Sequence, residues 1–107
     1  CGVPFEECGD LLEIIGRVDV VYLTRVQKER MGGKSARVDG KFRMDAAMLN
    51  RMAECAIIMH PLPRVDEIRD RRRVDIDPRA AYFRQAQNGL YVRMALLHMI
   101  LAPDAPL

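Results

Sequence analysis

The sequence predicts an α/β fold, layered and built on a parallel sheet. Three observations carry that expectation. Asp19-Val20-Val21-Tyr22-Leu23 and Ala56-Ile57-Ile58-Met59 are apolar runs without polar alternation, the pattern of strands buried on both faces. A stretch with helical spacing precedes each run and a longer one closes the chain; strands that alternate with helices pair in parallel. Hydrophobic residues make up 50% and charged residues 30% of the 107, the composition of a folded globular chain rather than a disordered one.

Taken in order, Cys8–Gly16 reads as a short helix. Asp10 caps it or sits in its first turn, Leu11, Leu12, Ile14 and Ile15 form its apolar face, and Gly16 stops it. The first strand follows at Asp19–Leu23. Thr24–Arg30 turns abruptly polar, and residues 31–41, with Gly32, Gly33 and Gly40 among charges, read as a mobile loop. Asp45–Ala53 is a second helix, with Met44, Met48 and Met52 at packing positions. Ala56–Met59 is the second strand, and the prolines of His60-Pro61-Leu62-Pro63-Arg64 end regular structure there. Val65–Asp77 is charged and irregular. Asp77-Pro78 is a helix-start signature, and the pattern is helical from Arg79 to about Leu101, with Asn88-Gly89 as its weak point, a place for a kink or break.

Length and charge bound the function. At ~150 residues per domain, 107 residues make one small domain at most. That is short for an enzyme with its own two-substrate cleft, and two strands are too few for a stable sheet. With Cys1 rather than Met first, the chain reads as the tail end of something larger. A net charge of +2, from 17 basic and 15 acidic residues, announces neither nucleic acid nor a membrane surface as partner. No apolar run approaches the ~18 residues of a membrane span. Three cysteines, with no C-x-x-C pair, suggest neither a disulfide framework nor a zinc site and favour a reducing compartment. Cys55 reads as core.

Ligands of parallel α/β sheets bind beyond the carboxyl ends of the strands. After the first strand, Arg25 offers a planar fork to a carboxylate. Gln27 and Glu29 fall on the same side of an extended stretch, Gln27 as a neutral donor and Glu29 as a partner holding Arg25. Taken alone, this stretch reads more readily as a solvated charged turn. After the second strand, Pro61 and Pro63 lack an N–H, which leaves nearby carbonyls to accept from a ligand's amino group. His60 reads better as a structural imidazole than as an acid or base. Arg69, Arg71, Arg72 and Arg73, interleaved with acids and lacking aromatic residues for stacking, read as a solvated loop rather than a nucleic-acid contact.

YLTRVQKER (Tyr22–Arg30), MHPLPRVDEI (Met59–Ile68) and DPRAAYFRQAQNGLYVRMALL (Asp77–Leu97), in this order and spacing, resemble the carboxyl-terminal part of aspartate carbamoyltransferase catalytic chains. The resemblance covers nearly all of the chain. It is weakest over the first ten residues, the glycine-containing loop and Arg69–Arg73. The sister family, ornithine carbamoyltransferase, typically carries H-C-L-P where this chain has H-P-L-P. The resemblance implies a three-layer Rossmann-like parallel sheet of the carbamoyltransferase type, present as a partial domain with a long C-terminal helix. Residues 1–107 would be the C-terminal part of the aspartate/ornithine-binding domain, without the N-terminal carbamoyl-phosphate domain.

The same resemblance implies a transferase of pyrimidine biosynthesis, joining carbamoyl phosphate to the amine of L-aspartate, with no metal or organic cofactor. Arg25, Gln27 and Leu62 would bind aspartate. The backbone of Pro61 and Leu62 would contact the reacting groups of carbamoyl phosphate and aspartate, and the Leu62–Pro63 bond would be cis. Glu29 would orient Arg25, Arg30 would aid domain closure, and Arg93 would support the site from the long helix. No catalytic residue is expected in this segment: the family's S-T-R-T loop and catalytic histidine do not occur here. Partners would be a homotrimer of the complete catalytic chain and regulatory chains, in a cytoplasmic or organellar setting. The chain alone would be inactive, and Leu90, Met94, Leu97 and Ile100 would expose an apolar patch. The competing reading is a non-catalytic α/β interaction module of the same fold.

Overall fold

The computed structural model describes residues 2–25 and 41–102. Six elements lie within them: α1 (Leu11–Ile14), β1 (Val20–Tyr22), α2 (Ala46–Leu49), β2 (Ile57–Met59), α3 (Arg71–Asp75) and α4 (Tyr82–Leu101). The predicted mobile loop, all but Lys41, and the Gln27–Arg30 segment lie outside the described residues.

The two short helices start where aspartates supply acceptors for otherwise unpaired N–H groups. Asp10 takes the Leu12 N–H at 3.0 Å, and Asp45 takes those of Ala47 and Met48, both at 3.0 Å. Both helices are shorter than the sequence predicts. Asp10 is itself extended, with φ −147°, so α1 cannot begin at Cys8. Gly16 lies against α2's exit: a Cβ there would come within 3.2 Å of the Arg51 carbonyl oxygen.

The strands pair in parallel, Val20 opposite Ile57, Val21 opposite Ile58 and Tyr22 opposite Met59. Only one face of β1 is buried. Val21 is 5% exposed, whereas Val20 and Tyr22 are 47% and 52% exposed. The expectation of strands covered on both faces is therefore corrected: alternate residues of β1 point away from the only core that the described residues form.

The start of α4 is corrected as well. Asp77 does accept the Arg79 N–H at 2.9 Å, yet the helix begins at Tyr82. Residues 79–81 are instead held at the far edge of β2. The Ile58 N–H donates to Arg79 O at 2.8 Å and the Ala81 N–H to Ile58 O at 2.9 Å, forming a parallel bridge between Ile58 and Ala80. This edge pairing satisfies the groups of Ile58 that β1 does not reach. From Tyr82 the helix runs unbroken through Asn88-Gly89 to Leu101, so there is no break at that dipeptide.

The core joins Leu11 and Ile15 of the α1 region, Val21, the methionines at 44, 48 and 52, Ile58, Ile68, Val74 and Tyr82. Within the stretch read as irregular, α3 forms with Val74 as its buried anchor, fully inaccessible among four charged neighbours. Cys55 is exposed rather than core: it lies in the turn before β2, with Ala56 taking the buried position. Along α4 only Tyr82 is buried. Leu90, Met94, Leu97 and Ile100 are 57–72% exposed, as expected of the patch.

Candidate functional site

Parallel pairing puts the carboxyl ends of both strands on one side of the sheet. The Leu23 N–H donates to Met59 O at 2.9 Å, so the chain leaves β1 through Thr24 and Arg25 beside the point where it leaves β2 through His60. Arg25 is exposed there. Of the other residues singled out after β1, Gln27, Glu29 and Arg30 lie outside the described residues.

The segment after β2 is a tight turn. The Leu62–Pro63 bond is cis and Leu62 has a φ of 53°, a left-handed conformation that residues with side chains seldom adopt. The Leu62 N–H donates to His60 Nδ1 at 2.9 Å. His60 is 1% exposed, and its own N–H donates to Gln85 Oε1 at 3.0 Å. Gln85, in the first turn of α4, passes its Nε2–H to the Tyr22 hydroxyl at 3.0 Å, linking the ends of the two strands through the helix. Among the described residues no backbone N–H donates to the carbonyl of Pro61 or Leu62. The turn therefore presents acceptors at the strand ends. His60 is the structural imidazole that the sequence favoured. Burial holds it below its ordinary pKa, Glu67 opposes that effect and Arg64 adds to it.

Where the turn exits, a cluster of buried and half-buried groups anchors it. Arg64 forms a two-pronged pair with Asp75, its Nη2 lying 2.6 Å from Oδ2. The Tyr82 hydroxyl donates to Asp75 Oδ1 and accepts from Arg64 Nη1, the latter at 3.0 Å. The guanidinium also lies over the Tyr82 and Phe83 rings, 5.2 and 5.4 Å from their centres. Arg64's hydrogen bonds hold Asp75 below the usual carboxylate range. Burial first, and then Asp75, push the Tyr82 phenol up to about 12. A second fork, Arg79 on Asp77 with both contacts at 2.9 Å, fixes the segment that pairs with Ile58, and the Arg79 hydrogen bond lowers the Asp77 pKa.

Arg93 reaches the same end of the sheet from α4. It lines a groove of about 410 Å³ together with Met59, Gln85, Asn88, Gly89 and Val92. Its guanidinium lies over Gly89, where a Cβ would stand 3.0 Å from Nη1. Gln85, Gly89 and Arg93 form a stripe at four-residue spacing, a signal readable in the sequence. Gln85, Glu67 and the Arg64–Asp75–Tyr82 cluster were missed there. Among the described residues no group of three or more His, Cys, Asp or Glu side chains is placed to hold a metal ion, and no helix is long and apolar enough to cross a membrane.

Residues 2–100 match the family model for the Asp/Orn binding domain of aspartate/ornithine carbamoyltransferases. The chain belongs to that family. It is 54% identical over 106 residues to the chloroplastic aspartate carbamoyltransferase of Oryza sativa subsp. japonica, covering 94% of this chain and 28% of the rice protein. Crystal structures of aspartate transcarbamoylase from Trypanosoma cruzi superimpose with a TM-score of 0.73. The complex with carbamoyl phosphate is 44% identical and covers 82% of this chain and 28% of that one. The complex with carbamoyl phosphate and aspartate is 42% identical and covers 84% and 28%. The chain thus spans little more than a quarter of the length of these relatives. They give its parallel pair and helices the α/β carbamoyltransferase fold, of which it is a part.

Proposed function

We propose that the chain supplies the aspartate-binding part of an aspartate carbamoyltransferase. In the complete protein the aspartate amine attacks the carbonyl carbon of carbamoyl phosphate, phosphate leaves with the bonding pair, and the amine loses a proton, giving N-carbamoyl-L-aspartate for pyrimidine synthesis. Arg25 and Gln27 hold a carboxylate of aspartate, and the carbonyls of Pro61 and Leu62 accept from the reacting nitrogens. Glu29 orients Arg25, Arg30 assists closure onto the carbamoyl-phosphate domain, and Arg93 supports the site from α4. The remaining groups belong to a separate N-terminal domain and to the neighbouring subunit of a homotrimer, with regulatory chains as further partners. The setting is cytoplasmic or organellar; the rice relative's name places that protein in the chloroplast.

One observation carries this reading. In a chain of this family, Arg25 and a turn presenting two carbonyls leave adjacent parallel strands at the same end of the sheet. An anion-binding fork and amine-accepting carbonyls on one edge suit an amino acid that reacts through its nitrogen. The test is carbamoylation of aspartate by the complete protein, with calorimetry of a bisubstrate analogue. Arg25→Ala should weaken aspartate about ten- to a hundredfold, the worth of a hydrogen bond to a charged group, and leave carbamoyl phosphate binding unchanged. Carbamoylation of ornithine in preference to aspartate would refute the reading.

A further inference from the structure

We propose that His60 and Glu67 are positioning residues for the Pro61 and Leu62 carbonyls. In this arrangement His60 is a neutral imidazole whose Nδ1 holds Leu62 in its left-handed conformation, and Glu67 is the carboxylate that keeps the ring proton on Nε2. The proposal rests on the aspartate carbamoyltransferase reading and adds two residues to its site.

The prolines limit what can hold the turn. Between His60 and Arg64 the only backbone N–H belongs to Leu62. It shares one planar peptide unit with the Pro61 carbonyl, so whatever fixes this N–H fixes the direction of that carbonyl, pointing it the opposite way. The structure gives the N–H to His60 Nδ1 at 2.9 Å. An acceptor at Nδ1 requires the proton at Nε2. Nε2 is buried, makes no hydrogen bond among the described residues and faces Glu67 Oε2 at 3.7 Å, so Glu67 acts on a proton there through its charge rather than through a hydrogen bond; the two side chains are 1% and 3% exposed.

Glu67 also grips the far side of the turn, where its Oε2 accepts the Val65 N–H at 2.8 Å. The residue is itself fixed, because its carbonyl takes the Met44 N–H at 2.7 Å and ties it to the approach to α2. The turn is therefore held from inside the protein at Leu62 and at Val65. With ring nitrogens directed at Leu62 and Glu67, His60 has no face for a substrate and acts only through the backbone. A proton on Nδ1 would set two donors against each other and release Leu62 from a conformation that it does not favour unaided.

The experiment measures steady-state kinetics and thermal melting of the complete protein with His60→Leu, His60→Asn and Glu67→Gln, together with the tautomer of His60 by ¹⁵N NMR. Without its tie, Leu62 holds the left-handed conformation in a minority of molecules, so His60→Leu should lose roughly tenfold in kcat/KM for aspartate. His60→Asn places Oδ1 where Nδ1 was and should return to within about threefold of wild type. Glu67→Gln should raise the share of molecules protonated on Nδ1 and lower kcat/KM with it. Equal kcat/KM in His60→Leu and His60→Asn, with an active wild type and matched melting, overturns the proposal alone. If His60→Leu does not fold, a wild-type His60 that carries its proton on Nδ1 overturns it. A wild-type protein that carbamoylates no aspartate overturns the underlying reading instead.

Discussion

Replacing Tyr82 with Phe isolates the anchor at the exit of the turn. Tyr82 is fully buried, so the substitution removes one oxygen and leaves the ring packing in place. That oxygen donates to Asp75 and accepts from Arg64 at 3.0 Å. Arg64 and Asp75 keep their own two-pronged contact, so no ion is left alone. The loss is then that of hydrogen bonding to charged partners, about 1.5–3 kcal/mol. The phenol titration supplies an independent check. Its pKa rises from 10.0 to about 12, a shift worth roughly 3 kcal/mol of preference for the neutral form in the folded state. A raised pKa contributes stability that is complete below pH 10 and is lost as pH climbs through about 12. The gap between wild type and Tyr82→Phe, read from urea unfolding of the complete protein, should therefore be largest near neutrality and close between pH 10 and 12. A gap below about 0.5 kcal/mol at pH 7, or one that does not change up to pH 12, would refute the assignment, since surface changes alone stay within that range.

Three other outcomes follow from the structure. Asp45→Ala removes the acceptor for two N–H groups of α2 and should cost about 1 kcal/mol in urea unfolding. Ile58→Ala, at a position with no exposure, should cost about 2–5 kcal/mol by the same measurement. Acid should weaken the fold in two stages. His60, lowered by burial, is charged more readily in the unfolded chain, so stability falls as pH drops below 6.5, and His60→Asn should flatten that stage. Asp75 and Asp77, lowered by Arg64 and Arg79, lose their contribution as pH falls below 3.8, seen as a second drop in the unfolding midpoint.

The 107-residue chain produced alone should self-associate through α4, whose Leu90, Met94, Leu97 and Ile100 are more than half exposed. Sedimentation as a clean monomer, without binding of a dye for apolar surface, would refute this.

Much of the scaffold was legible because it is written locally. Runs such as Val20-Val21-Tyr22 and Ile57-Ile58-Met59 are strands by composition, Asp10 and Asp45 mark helix starts by their chemistry, and the prolines flanking Leu62 end β2 wherever it docks. The missed features depend on partners distant in sequence. Asp77-Pro78 is a sound start signal, but Ile58 takes Arg79 and Ala81 as edge partners and delays α4 to Tyr82. Glu67 looks like any acid of a charged stretch until the pairing of Met44 with Ile68 turns it inward against His60. Gln85, Gly89 and Arg93 can be read as one helical stripe, but the stripe gains meaning only when Met59, 26 residues before Gln85, closes the groove beneath it. Local chemistry thus places the carbonyl turn at the end of a strand. The Leu62 N–H is tied two residues back to His60 Nδ1, but His60 is itself held by the distant Gln85 and faced by Glu67, and on the proposed reading the resulting direction of the Pro61 peptide is what an approaching amine would meet.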